Sequence, residues 1–275
     1  MLVNQQDTVS EDLLDGFYTS THTEGIRYWL QILRTRPVPP DYYFNTRKQP
    51  LLFTDEILPD LQLTLMECPD ANVIDNLVVG LKRRTDGKSL SILVTLLSHA
   101  DSSVRYWAAS ALQGNNSAII VNETIRLIKS PLYRTVALTD ILLYNKIDTL
   151  QSTYESIYWA NPDLDWKRSA VEYLATFPHS RHQPIFRAIL QDKEEDIFII
   201  RNAALGLGRL KDKGAVELII KVCKEESEGS DYNAQVFLSA LSRIKGAKAR
   251  AFIAQYKNSS EEQVQELVNE ILANW

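Results

Sequence analysis

From about residue 51 onward, apolar side chains recur at offsets of three, seven, ten and eleven from an acidic or small polar residue, which is the spacing of one helical face. The clearest copy is Asp101-Ser-Ser-Val104-Arg105-Tyr106-Trp107-Ala108-Ala109-Ser-Ala111-Leu112. Anchored on its last leucine, the pattern returns at Leu81, Leu174 and Leu207, opening on Asp70, Asp163 and Asp196. Weaker copies end at Leu142, Leu241 and Leu272 and open on Pro131, Ser230 and Glu261. Successive anchors lie 31, 30, 32, 33, 34 and 31 residues apart, so the chain is a repeat array.

A second apolar-periodic stretch accompanies each copy, as in Leu90-Ser-Ile-Leu-Val-Thr-Leu-Leu97 or Ala215-Val-Glu-Leu-Ile-Ile-Lys-Val222. Two helices per repeat follow. The opening aspartates are N-caps, because a carboxylate there accepts free backbone N–H groups at the positive end of the helix dipole. Small residues such as Ala108, Ala170 and Ala203 let neighbouring helices approach closely. One hairpin cannot bury its apolar face alone, so the predicted fold is all-α, a right-handed α-solenoid of about seven to eight stacked hairpins.

Asp196 to Glu226, with Asn202-Ala-Ala-Leu-Gly-Leu-Gly-Arg-Leu-Lys-Asp-Lys-Gly-Ala-Val216, resembles the short HEAT repeats of the phycobilisome-lyase type, as does Asp101 to Leu112. The resemblance spans about residues 70 to 275 and is specific for fold, whereas many functions share the repeat. Residues 1–50 read as an atypical cap and 51–275 as the HEAT-like array. In the cap, Ile26, Trp29, Leu30 and Leu33 fit an amphipathic helix, which Arg36-Pro-Val-Pro-Pro-Asp-Tyr42-Tyr43-Phe44-Asn45 breaks. Trp275 is expected to fold back on the last helix.

Composition changes this picture little. The hydrophobic fraction of 45% and charged fraction of 24% are those of a globular protein. Cys68 and Cys223 sit in apolar helical patterns, as reduced thiols of a cytoplasmic protein do. No stretch is apolar enough to span a membrane, and residues 1–15 are polar and acidic. A net charge of −5 disfavours a general nucleic-acid binder.

Candidate chemistry is sparse. None of His22, His99, His179 and His182 precedes a glutamate, so the His-Glu dipeptides of HEAT-repeat iron hydroxylases are missing. His179 and His182 have a two-ligand spacing, but a metal site needs three or four donors. Gly206-Leu-Gly208 lies within a helical pattern and is no phosphate loop. No metal and no cofactor is therefore expected. Arg105, Lys167, Arg168 and Arg201 recur at matching or adjacent places on the second helix of each repeat, with Arg83, Arg84 and Arg134 nearby. They form either a basic ladder or inter-repeat pairs with the capping aspartates. Tyr106, Trp107, Tyr158, Trp159 and Trp166 interleave with them as core or as interface anchors.

The expectation is a non-catalytic monomer that grips a protein partner with an acidic or phosphate-bearing surface. The predicted surface is Arg105, Tyr106, Arg134, Lys167, Arg168 and Arg201, with Tyr42, Tyr43 and Phe44 as the alternative. Small single-module HEAT proteins resemble immunity proteins, which implies a toxin domain as partner. The repeat family also implies a phycobilin lyase or chromophore chaperone, an adaptor subunit, or a HEAT-like DNA glycosylase, the last opposed by the pI near 5.5.

Overall fold

The computed structural model describes residues 8–39, 42–82, 84, 86–160 and 163–275. Arg83 therefore lies outside the described residues, and so does the side chain of Arg47. Sixteen α-helices and short 3-10 turns make up the described chain, and no strand occurs among them. It packs as two compact units, 1–147 and 148–275.

In the first unit, α1 (Glu11–Tyr18) and α2 (Thr23–Thr35) precede three hairpins. These are α3 (Leu58–Glu67) with α4 (Ala71–Leu81), α5 (Gly87–Leu96) with α6 (Ser102–Ala111), and α7 (Ala118–Ile128) with α8 (Ala137–Tyr144). α2 buries Ile26, Trp29, Leu30 and Leu33, as its periodicity dictates. The proline-rich loop then returns to cover it. Tyr42 and Phe44 are buried, Phe44 meeting Trp29 edge-on at 4.9 Å, while the Trp29 indole N–H donates to the Tyr42 hydroxyl at 3.2 Å. The second helices stack in order, α4 on α6 and α6 on α8.

The second unit holds four hairpins: α9 (Gln151–Ala160) with α10 (Leu164–Thr176), α11 (Gln183–Gln191) with α12 (Ile197–Arg209), α13 (Val216–Glu226) with α14 (Gln235–Ile244), and α15 (Ala247–Ala254) with α16 (Glu262–Ala273). Here α10, α12, α14 and α16 stack in succession. With α1 and α2 counted as a pair, the helical hairpins number eight among the described residues.

The predicted caps are present. Asp70, Asp101, Asp163 and Asp196 each accept backbone N–H groups from the first turn of α4, α6, α10 and α12. Ala108, Ala170 and Ala203 are fully buried, as are the anchors Leu81, Leu174, Leu207 and Leu241. The glycines of α12 serve packing: a Cβ on Gly206 would stand 2.6 Å from the Phe186 ring, and one on Gly208 would stand 2.9 Å from the Ala240 backbone. α8, α12 and α14 end on residues in the left-handed region, Lys146, Lys211 and Lys245, with φ of 54°, 54° and 61°. Trp275 is half-buried and lines a cleft with Leu267 and Ile271 of α16.

Candidate functional site

The residues picked out by the repeat pattern fall into three groups. Arg105 is buried and points inward: its Nη1 donates to the carbonyls of His99 and Ala100 at 2.8 and 2.7 Å, which ties down the turn before α6. Tyr42 and Phe44 belong to the core of the first unit, so of the three aromatics Tyr42, Tyr43 and Phe44 only Tyr43 presents its ring to solvent. Arg105, Tyr42 and Phe44 are unavailable to a partner. Arg134 stands half-buried in the turn before α8.

The second unit holds Lys167, Arg168 and Arg201. Arg168 on α10 grips Asp196, the cap of α12, with two parallel bonds of 2.9 and 2.7 Å. Those bonds raise the guanidinium above its ordinary range and hold the Asp196 carboxyl below the usual carboxylate range. Lys167 donates to Glu195 at 2.6 Å. Burial pulls the ammonium down, but Glu195 outweighs it and leaves Lys167 raised. Arg201 reaches from α12 to Asn233 at 3.0 Å. Arg168 and Arg201 thus each reach into the next repeat, but only Arg168 does so through a capping aspartate, and Arg105 bonds within its own repeat. Of the basic ladder, Lys167 and Arg168 are neutralised by acids of the next repeat, while Arg105 and Arg201 are held by neutral acceptors.

What remains for a partner is aromatic. Phe198 and Tyr232 are 55% and 54% exposed. They occupy the same place in successive repeats, two residues past the caps Asp196 and Ser230. Leu164, one residue past Asp163, is 43% exposed. The Arg168 guanidinium lies over the Phe198 ring at 5.0 Å. Trp159, at the end of α9, is 69% exposed. In the first unit Tyr106 and Trp107 form an edge-on pair at 5.5 Å, both partly exposed. The pattern of charged positions does not mark Phe198 and Tyr232; the repeats aligned on the caps Asp196 and Ser230 put both rings in one column.

The histidine pair is built into the fold. His182 is fully buried; its Nδ1 accepts the His179 backbone N–H at 3.0 Å, so Nε2 carries the proton and donates to Glu155 at 2.7 Å. Arg181 donates to the same carboxylate at 2.6 Å. Among the described residues no group of three His, Cys, Asp or Glu side chains is placed to hold a metal. Cys68 and Cys223 are buried free thiols, each pushed up to about 11 chiefly by burial.

This arrangement defines an all-helical repeat protein of HEAT-like hairpins. No protein-family model and no curated protein matches the chain. Among solved structures it is similar to the CpcE–CpcF complex of phycocyanin lyase from Nostoc sp. PCC7120, at 13% identity and TM-score 0.39, covering 98% of each chain. It is also similar to human deoxyhypusine hydroxylase in complex with glycerol, at 14% identity and TM-score 0.37, covering 96% of each chain. The likeness is one of fold. One expectation, that the chain is not an enzyme, is corrected: both structures it is similar to are named for enzymes.

Proposed function

We propose that this chain binds another protein through the exposed edge formed by the first turns of α10 and α12 and the 3-10 turn Asp231–Ala234 that leads into α14. The observation that carries the reading is the row Leu164, Phe198 and Tyr232, large apolar side chains left in solvent at repeat spacing while the apolar anchors behind them are buried. Isolated exposed hydrophobics need no explanation, but a row at repeat spacing with an arginine fork over one of its rings has the make-up of an interface core. Arg168 and Arg201 are already held by Asp196 and Asn233, so their forks are fixed before a partner arrives and little ordering entropy is lost on binding. The partner that fits is one presenting apolar and aromatic side chains with backbone acceptors for the rim. Toxin neutralisation and adaptor assembly are two uses of such an edge, told apart by which protein it holds. A reducing, cytoplasmic setting suits the two buried free thiols, and no helix among the described residues is long and apolar enough to cross a membrane.

The test starts from the protein that copurifies with the chain in its native host. Replacing Phe198 and Tyr232 together by serine removes exposed rings only, so the melting temperature should hold while affinity for that protein falls at least about tenfold, the usual loss at hot-spot aromatics. A well-folded double variant that binds as tightly as the parent would move the interface off this edge, with Tyr106 and Trp107 the next pair to replace.

A further inference from the structure

At the opposite ends of these helices the charges are not neutralised. A cleft of about 270 Å³ opens between α14 and α16. Its α14 wall is polar, with Ser239, Arg243 and Lys245, and its α16 wall is apolar, with Leu267, Ile271 and Trp275. Among the described residues no carboxylate lies within ion-pairing distance of Arg243. Its charged neighbour is another arginine. Arg209 is half-buried at the end of α12, spends one donor on the Ala175 carbonyl at 2.6 Å, and is lowered from the ordinary guanidinium range by desolvation and then by the Arg243 charge. Two like charges held together with no counter-ion store unfavourable energy that a bound oxyanion would relieve. Glu270 also lines the cleft and is exposed. Its charge leaves room for a single negative group and repels a polyanion.

We propose that this cleft binds an amphipathic carboxylate: a carboxylate taken by Arg243 and Lys245, carried on an apolar body that lies against Trp275 and Ile271. A guanidinium fork matches a carboxylate with paired bonds. The volume suits a ring and a short linker but not a drug-sized ligand. The site is separate from the edge that carries Leu164, Phe198 and Tyr232, so either can fail without the other.

The probe is 3-phenylpropanoate, titrated against the full chain while the Trp275 indole N–H is followed by NMR and assigned with Trp275→Phe. The neutral control is 3-phenylpropanamide. The expected result is a saturable shift of the Trp275 signal, with the acid bound about tenfold more tightly than the amide, the value of one charge-assisted contact. Arg243→Gln, at an exposed position, should abolish that preference. Lys245→Asn should weaken it while tolerating the left-handed backbone. A peptide ending in a free phenylalanine carboxylate, set against its amidated form, separates sources. Binding of the peptide acid marks a chain terminus as the ligand, and binding of the free acid alone marks a small molecule. An unmoved Trp275 signal, an amide that binds as well as the acid, or an Arg243→Gln variant that keeps the preference would each overturn the proposal.

Discussion

A single methyl group at Gly208 would have to push α12 away from α14, because the nearest atoms it would meet are the Ala240 backbone at 2.9 Å and not the movable end of a side chain. Gly208→Ala is therefore expected to lose about 1–3 kcal/mol of stability, the cost of overpacking, even though alanine is the better helix former. Urea unfolding measures it, and an unchanged midpoint would mean that the helix pair relaxes freely. His182 gives a second residue-scale expectation. It is lowered from its ordinary value of 6.5, mainly by desolvation, with Glu155 pulling the other way and Arg181 and His179 adding to the lowering. The folded state therefore holds its proton less tightly than the unfolded chain. His182's share of stability is present above 6.5 and lost as pH falls below it. His182→Gln should flatten the melting-temperature profile between about pH 6.5 and pH 5; a profile of unchanged slope would show that the imidazole titrates freely. Residues of this kind differ in how readable they are. Ala108 and Ala203 follow from spacing alone, since a small residue on the apolar face marks a close helix contact. Arg105 does not, because an arginine turned inward onto backbone carbonyls leaves the same mark in a sequence as one facing solvent.

At the scale of elements, Asp196 does two things at once. It caps α12 through the Phe198 N–H at 3.1 Å and clamps α10 through Arg168. Loss of a cap alone costs about 1 kcal/mol. The Arg168 guanidinium is open to solvent, so water screens its pairing and it adds little beyond the cap. Asp196→Ala should therefore cost somewhat more than Asp101→Ala, whose carboxylate caps α6 through Ser103 and Val104. A cycle with Arg168→Ala separates the two parts: coupling near zero would leave Asp196 a cap and nothing more. Because Arg168 holds the Asp196 carboxyl below its ordinary 3.8, this contribution stands above that pH and disappears as pH falls beneath it. The caps that the pattern named became real starts for α4, α6, α10 and α12, but the weak copies misplaced theirs. Residues 131–136 form a turn in which the Tyr133 and Arg134 N–H groups return to the Ser130 carbonyl, and α8 begins only at Ala137. Ser230 caps a 3-10 turn, and α14 follows from Gln235. Periodicity locates the buried face of an element well and its first turn poorly, since that turn is fixed by local hydrogen bonds.

For the whole molecule, the net charge of −5 and the recurring arginines suggested a basic face within an acidic protein, with a partner drawn in by its field. The packing of repeats weakens that field on α10. Each cation on α10 meets an anion 28 residues further along, Lys167 with Glu195 and Arg168 with Asp196, and Asp165 stands 3.8 Å from Arg168 on the outside. Such partners are distant in sequence and adjacent in space, so counting charges along the chain cannot cancel them. An edge whose ion pairs are closed steers weakly, and its binding rests on buried rings, which salt does not screen. Association of the copurified partner with the intact chain should therefore change by less than about threefold between 50 and 500 mM sodium chloride. Stopped-flow mixing at the two salt concentrations gives the rate constants directly. The Phe198 and Tyr232 double variant should raise the dissociation rate and leave association nearly unaltered. A fall of tenfold or more in the association rate on adding salt would show that unneutralised charge guides the encounter, and would shift the interface to the other end of the same helices, where, among the described residues, no carboxylate is ion-paired with Arg209, Arg243 or Lys245.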